Sequence, residues 1–312
     1  MGVDPQVQSV LDRFAQSARG AALPSVEALR IPNPAIMAMR WSAVDIASVS
    51  NLEIPGPDGA LRARLYATNN SSPAPTVVYF HGGGWVAGSI DNHDGFCRHL
   101  AKRSRCAVLS VDYRLAPEHR FPAAVNDAVA VVRWASAHGR SVGIDNTKLA
   151  VAGDSAGGNL AAVVPLVLRE EDAPSLAAQI LLFPITDHEF DSESMLASGE
   201  GFFLTREGMM WYWSQYLEDE RFGDDWRASP LRAPDLSGLP PATVLVAEFD
   251  PLRTQAEQYA QRLVAAGVDT DLHCFDGMIH SFANLRQAID RAEEAMDVVV
   301  AAVRRQLGTV PS

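Results

Sequence analysis

The sequence predicts an α/β fold with a mostly parallel central sheet that is covered by helices on both faces. Short apolar runs alternate along the chain with longer segments whose apolar residues have helical spacing. Strands that are apolar throughout are typical of parallel sheets buried on both faces. The 312 residues, 47% hydrophobic and 21% charged, have a globular composition and suffice for one large domain with an added lid.

The expected elements follow this alternation. One helix is expected over residues 7–19 and a weaker one over 25–30, with no strong strand before about residue 50. Strands are then expected at 61–66, 76–80, 106–111, 148–152, 179–183, 242–247 and 271–275, and helices at 91–103, 122–137, 155–168, 205–217, 252–266 and 283–307. The alternation of strands and helices is interrupted over residues 186–234. We therefore expect residues 1–50 and 186–234 to form a cap, and 51–185 and 235–312 to form the α/β core.

Composition and charge argue against several classes of protein. The net charge is −12, and no run of five or more basic residues offers a surface for nucleic acid. The three cysteines are far apart, which disfavours a disulfide framework or a zinc site and favours a reducing compartment. No apolar run is long enough to span a bilayer, and the N-terminus lacks the pattern of a signal peptide. We expect a cytoplasmic protein without stable membrane insertion.

Residues 153–157 read Gly-Asp-Ser-Ala-Gly, a G-x-S-x-G pattern between an apolar run and a helix-like run. In a strand–turn–helix context this pattern marks a nucleophile elbow, here with Ser155 as the nucleophile. The small residues allow the sharp turn, and the following helix presents N–H groups to a developing negative charge. Taken alone, the pattern fits an ordinary glycine turn equally well.

Three consecutive glycines, Gly82 to Gly84, follow the strand expected at 76–80. Ligands bind at this end of parallel strands, and glycines leave the backbone N–H groups accessible there. Such donors stabilise the oxyanion of an acyl transfer, and the loss of one costs about 2.7–4 kcal/mol. Phosphate binding is disfavoured because neither G-x-G-x-x-G nor a G-K-[ST] ending is present. A plain glycine turn stays open.

A base and an acid are expected at the ends of the last two strands. His280 lies in the loop after the final strand, a good position for a general base. Asp250 ends the preceding strand just before a proline at a helix start, so helix capping alone could explain it. Glu248 and Asp276 are alternative acids. The order Ser155, Asp250, His280 is that of α/β-hydrolase triads.

Five motifs carry a resemblance to a known family: His81 to Trp85, Tyr113 to His119, Gly153 to Leu160, Asp250 to Arg253, and Gly277 to His280. With these motifs, the sequence from about residue 50 to 305 resembles the bacterial hormone-sensitive-lipase-like carboxylesterases, also called family IV. Two positions depart from the family pattern. Thr254 stands where Asp or Glu is usual, and Ser281 stands where Gly usually follows the histidine.

The resemblance implies an α/β-hydrolase fold with a helical cap built from the N-terminus and an insertion after the strand at 179–183. It also implies an oxyanion hole formed by the N–H groups of Gly83, Gly84 and Ala156. Many relatives form dimers, so a homodimer is left open.

The expected chemistry is hydrolysis of a small-molecule carboxylic ester. Ser155 attacks the carbonyl, His280 takes its proton and Asp250 orients the imidazole, and an acyl-enzyme forms without a metal or cofactor. Cap aromatics and methionines suggest an apolar pocket for short to medium acyl chains, with the residues Trp85, Met209, Met210 and Trp213. The same site suits lactones, amides or carbamates. A non-catalytic binding protein is disfavoured because His280 is present.

Overall fold

An eight-stranded sheet organises the chain, which confirms the predicted fold class. The structure is a computed structural model and describes residues 2–18, 25–68, 73–171, 173 and 175–309. The strands are β1 (Ser48–Gly56), β2 (Gly59–Ala67), β3 (Ala74–Phe80), β4 (Ala107–Asp112), β5 (Ile144–Asp154), β6 (Ala178–Leu182), β7 (Ala242–Phe249) and β8 (Thr270–Ile279). Their spatial order is β1-β2-β4-β3-β5-β6-β7-β8, with β2 antiparallel to both β1 and β4 and the remaining neighbours parallel.

The inner strands are buried on both faces, as their uniform apolar sequences predict. In β3, Val78 lies beside Leu109 of β4 and Val151 of β5, and all three belong to the core on one face. The preceding Val77 belongs to the core on the opposite face, because successive side chains of a strand point to opposite sides. Apolar residues at successive positions therefore fill both cores.

Helices cover both faces. They are α1 (Pro5–Ala18), α2 (Val26–Arg30), α3 (Pro34–Met39), α4 (Asp94–Ser104), α5 (Ala123–His138), α6 (Ala156–Glu170), α7 (Glu193–Ala197), α8 (Arg206–Tyr216), α9 (Arg253–Ala265) and α10 (Arg291–Leu307). Apolar residues of α5, α6 and α9 pack in one core, and those of α4 and α10 pack in the other. In the ranges that the structure describes, no helix has the length and apolar character needed to cross a membrane.

The structure differs from the sequence-based expectations at several elements. Strand β1 was not predicted, because it is an edge strand with mostly exposed or half-buried residues and no apolar run. The last helix begins at Arg291 rather than at residue 283, since a 3-10 turn at Phe282–Asn284 directs the Asn284 side chain toward Asp154. Helices α3 and α7 were also missed. The first predicted helix ended at residue 19, which lies outside the described residues.

Candidate active site

Ser155 sits on the turn between β5 and α6, with φ 55° and ψ −116°. A positive φ is strained for a residue with a side chain, and such strain is typical of functional sites. The flanking glycines make the turn sterically feasible. A Cβ on Gly153 would overlap the carbonyl oxygen of Gly157, and a Cβ on Gly157 would overlap that of Phe80. The backbone thus has the geometry of a nucleophile elbow, and the serine keeps 7% of its surface exposed.

His280 and Asp250 complete a hydrogen-bonded chain with the serine. His280 follows β8 directly, and its Nε2 lies 3.0 Å from Ser155 Oγ. Its Nδ1 lies 2.7 Å from Asp250 Oδ2. Asp250 Oδ1 accepts a hydrogen bond of 2.8 Å from the N–H of Leu252, so this carboxylate also stabilises the turn before α9. The structure therefore brings the three predicted residues together.

The two alternative acids occupy other places. Glu248 accepts a hydrogen bond of 2.7 Å from the N–H of Gly277, three residues before His280. It thereby holds the segment that carries the histidine. Asp276 is exposed on β8. The imidazole of His280 hydrogen-bonds to Asp250.

The glycine loop presents free donors beside the serine. Gly83 and Gly84 have φ values of 126° and 63°, in the region that favours glycine. Within the part of the chain that the structure describes, their N–H groups have no hydrogen-bond acceptor. Ala156 is the first residue of α6, where a helix leaves N–H groups unpaired. Burial lowers the pKa of His81 to about 4, and its Nδ1 lies 2.9 Å from the carbonyl oxygen of Gly82. A neutral His81 therefore orders this loop.

Asp154 is a buried residue that sequence reasoning overlooked. Its carboxylate accepts hydrogen bonds from Tyr79 Oη at 2.7 Å, Gly82 N at 2.9 Å and Asn284 Nδ2 at 2.9 Å. His93 Nε2 lies 3.3 Å from the same group. Burial by itself raises the pKa of Asp154, but His93, the hydrogen bond from Tyr79 and the charge of Arg40 outweigh it and hold the pKa below its ordinary range. The signal for this role was an acidic residue next to the nucleophile in an otherwise apolar stretch.

Ser155 and His280 line a cavity of about 390 Å³. Residues from both segments expected to form the cap, 1–50 and 186–234, contribute to its wall. The exact boundaries of the cap stay a prediction. From the N-terminal region come Leu29, Ile36, Met37 and Arg40, among others, and from the insertion come Phe203, Leu204, Met209 and Tyr212.

The predicted pocket residues need correction. Met209 lines the cavity, but Trp85, Met210 and Trp213 do not. Trp85 is fully buried and stacks on Tyr216, with ring centroids 4.1 Å apart, and Trp213 packs against it at 4.7 Å. Met210 lies on another side of α8 and is 44% exposed. Trp213 and Tyr216 therefore attach the insertion to the core by packing against Trp85.

The two departures from the family pattern have structural counterparts. Thr254 Oγ1 accepts a hydrogen bond of 3.1 Å from the N–H of Ser194, and Ser194 Oγ accepts one of 2.9 Å from the N–H of Thr254. This pair joins α7 of the insertion to α9. Ser281 has φ 64°, in the left-handed region where glycine is favoured.

Comparison with known proteins identifies the class of this chain. A family model described as alpha/beta hydrolase fold matches residues 77–284. The chain belongs to this family, which confirms the resemblance seen in the sequence.

The more similar relatives are esterases. The carboxylic ester hydrolase LipN of Mycobacterium tuberculosis is 43% identical over 268 residues, which cover 84% of this chain and 71% of LipN. An ethyl acetate hydrolase of Pseudomonas putida is 38% identical over 266 residues, covering 83% of each protein. A solved ester hydrolase from the Lake Arreo metagenome aligns with a TM-score of 0.92 and 38% identity over 98% of this chain and 99% of its own.

Proposed function

We propose that this chain is a serine carboxylesterase that hydrolyses small carboxylic esters. One observation carries the proposal: the hydrogen-bonded series Ser155–His280–Asp250 reaches a cavity whose wall includes Gly83 and Gly84. The names of the relatives support the same activity.

In the proposed mechanism, His280 Nε2 accepts the proton of Ser155 Oγ as the oxygen attacks the ester carbonyl. Asp250 keeps the proton on Nδ1 and stabilises the imidazolium that forms. The N–H groups of Gly83, Gly84 and Ala156 bind the oxyanion. The alcohol leaves with the proton from His280, and a water activated by the same imidazole releases the acid.

The volume and location of the cavity support short to medium acyl chains. A space of about 390 Å³ lies near the lower end of the range for small-molecule sites, and part of its wall belongs to the catalytic groups themselves. The three unpaired cysteines, Cys97, Cys106 and Cys274, support a reducing, cytoplasmic location.

The test is to replace Ser155 by Ala and to measure the hydrolysis of p-nitrophenyl butyrate. We expect activity to fall to background, because no other group supplies the acyl-accepting oxygen. Ser214→Ala is the matched control, since Ser214 is exposed on α8. Normal activity of the Ser155 variant would refute the proposal. Parallel assays with p-nitrobutyranilide and γ-butyrolactone distinguish esters from the amide and lactone alternatives.

A further inference from the structure

The wall of the cavity is largely apolar but contains a cation. The insertion contributes Phe203, Leu204, Met209 and Tyr212. The N-terminal region contributes apolar residues and also Arg40. Burial of a cation beside an ester-binding cavity is costly unless the charge has a partner, so Arg40 requires an explanation.

Among the described residues, the side chain of Arg40 makes one hydrogen bond: its Nη1 donates to the carbonyl oxygen of Asn92 at 3.1 Å. Its Nε is buried and has no hydrogen-bond partner in this part of the chain. A guanidinium carries five N–H donors in all, so most of them have no acceptor among the described residues. Across the described residues, no carboxylate forms an ion pair with it. Burial lowers the pKa of Arg40, and the negative charge of Asp154 acts in the opposite direction.

Arg30 also lines the cavity, but most of its N–H donors are already hydrogen-bonded. Its Nη1 and Nη2 each lie 2.7 Å from the carboxylate of Glu118. Its Nε donates to the carbonyl oxygen of Val86 and its Nη2 to that of Ala116, each at 2.9 Å. Four of the five N–H donors of Arg30 are therefore engaged, whereas most of those of Arg40 have no acceptor among the described residues.

Asp154 does not occupy the donors of Arg40. Its oxygens accept hydrogen bonds from Tyr79, Gly82 and Asn284, and they lie close to His93. It offsets the charge of Arg40 through space, since the structure shows no hydrogen bond or ion pair between these two described residues. A second anion can therefore approach the guanidinium and receive hydrogen bonds from it.

We propose that the cavity accepts esters that carry a carboxylate group, which Arg40 binds while the ester carbonyl lies at Ser155. Half-esters of short dicarboxylic acids and acetate esters of short hydroxy acids are the matching substrate class. A guanidinium suits this role because its planar donors match a carboxylate and it stays charged when desolvated. The inference rests on the proposed esterase activity and specifies its substrate.

The first test uses the unaltered enzyme and two matched pairs of esters in pH-stat assays. Monomethyl glutarate is compared with methyl pentanoate, which places the charge on the acyl side. The anion 4-acetoxybutanoate is compared with butyl acetate, which places it on the alcohol side. We expect at least one charged ester to equal or exceed its neutral counterpart in kcat/KM. A strong preference for both neutral esters overturns the proposal.

The second test removes the charge with Arg40→Met. We expect kcat/KM for the favoured charged ester to fall by about tenfold or more, mainly through KM, because a charge-assisted hydrogen bond is lost. The fall for the neutral ester should be smaller, so that the ratio of kcat/KM for the charged ester to that for the neutral ester drops. The matched control is Arg13→Met, since Arg13 is exposed on α1.

The outcomes separate the two proposals. An equal loss for the charged and neutral esters means that Arg40 only balances Asp154, and it refutes the carboxylate site. A protein that does not hydrolyse p-nitrophenyl butyrate refutes the esterase proposal itself. The wild-type comparison keeps the inference testable even if the Arg40 variant fails to fold.

Discussion

Two regions of the molecule differ in how well the sequence predicts them. One is the edge of the sheet where the strands end and Ser155 lies, and the other is helix α8 of the insertion. At the sheet edge, the residues expected to meet do so: His280 Nε2 is 3.0 Å from Ser155 Oγ. On α8, only Met209 of the three predicted pocket residues lines the cavity. The ends of parallel strands converge by topology, whereas the composition of a helix does not tell which side faces a cavity.

The largest expected effect concerns the acid at the sheet edge. Asp250→Asn should lower kcat by about four orders of magnitude, because an amide cannot keep the histidine in the required tautomer. The measurement is steady-state hydrolysis of p-nitrophenyl butyrate.

Asp276→Asn provides the matched control for that experiment, since it makes the same chemical change at an exposed position on β8. Glu248→Gln tests the other carboxylate, which accepts a hydrogen bond from the N–H of Gly277. If the Glu248 variant loses more activity than the Asp250 variant, the assignment of the acid is wrong.

The second prediction compares two adjacent methionines of α8. Met209 is 2% exposed and lines the cavity, whereas Met210 is 44% exposed. Met209→Ala should lower the free energy of unfolding by about 2–5 kcal/mol, as for other buried large-to-small changes. Met210→Ala should change it by less than about 0.5 kcal/mol. Urea unfolding measures both.

The same pair also tests the acyl pocket. Met209→Ala enlarges the wall and should shift the preferred p-nitrophenyl ester toward longer acyl chains, with about a tenfold change between neighbouring lengths. Met210→Ala should leave the chain-length profile as it is. A shift caused by Met210 alone would show that the cavity wall is misassigned.

The contrast explains how much of the molecule could be predicted. Uniformly apolar strands and G-x-S-x-G identify the sheet and the elbow, because burial on both faces and steric crowding permit few residue types there. On α8, the buried residues Met209, Trp213 and Tyr216 follow helical spacing, yet two of them pack against Trp85. No local pattern separates a side chain that packs in a core from one that lines a cavity.

The partners of Arg40 and Asp154 could not be predicted for a related reason. Arg40 contacts the carbonyl of Asn92, a residue far along the chain, and Asp154 gathers donors from Tyr79, Gly82 and Asn284. These contacts depend on the packed arrangement of four segments. A single charged residue in the sequence carries no mark of such partners.

The smallest expected effect concerns Ser281, which follows His280 directly after strand β8. Ser281 has φ 64°, a conformation that costs an L-residue about 1–2 kcal/mol, while glycine adopts it freely but loses about 0.5–1 kcal/mol through chain entropy. Ser281→Gly should therefore raise the free energy of unfolding by about 0.5–1 kcal/mol. Arg105→Gly is the matched control, because Arg105 ends α4 with φ 60° far from the triad. A gain at Arg105 with a loss at Ser281 would mean that the serine side chain stabilises the segment that carries His280, and the strain argument would then fail at this position.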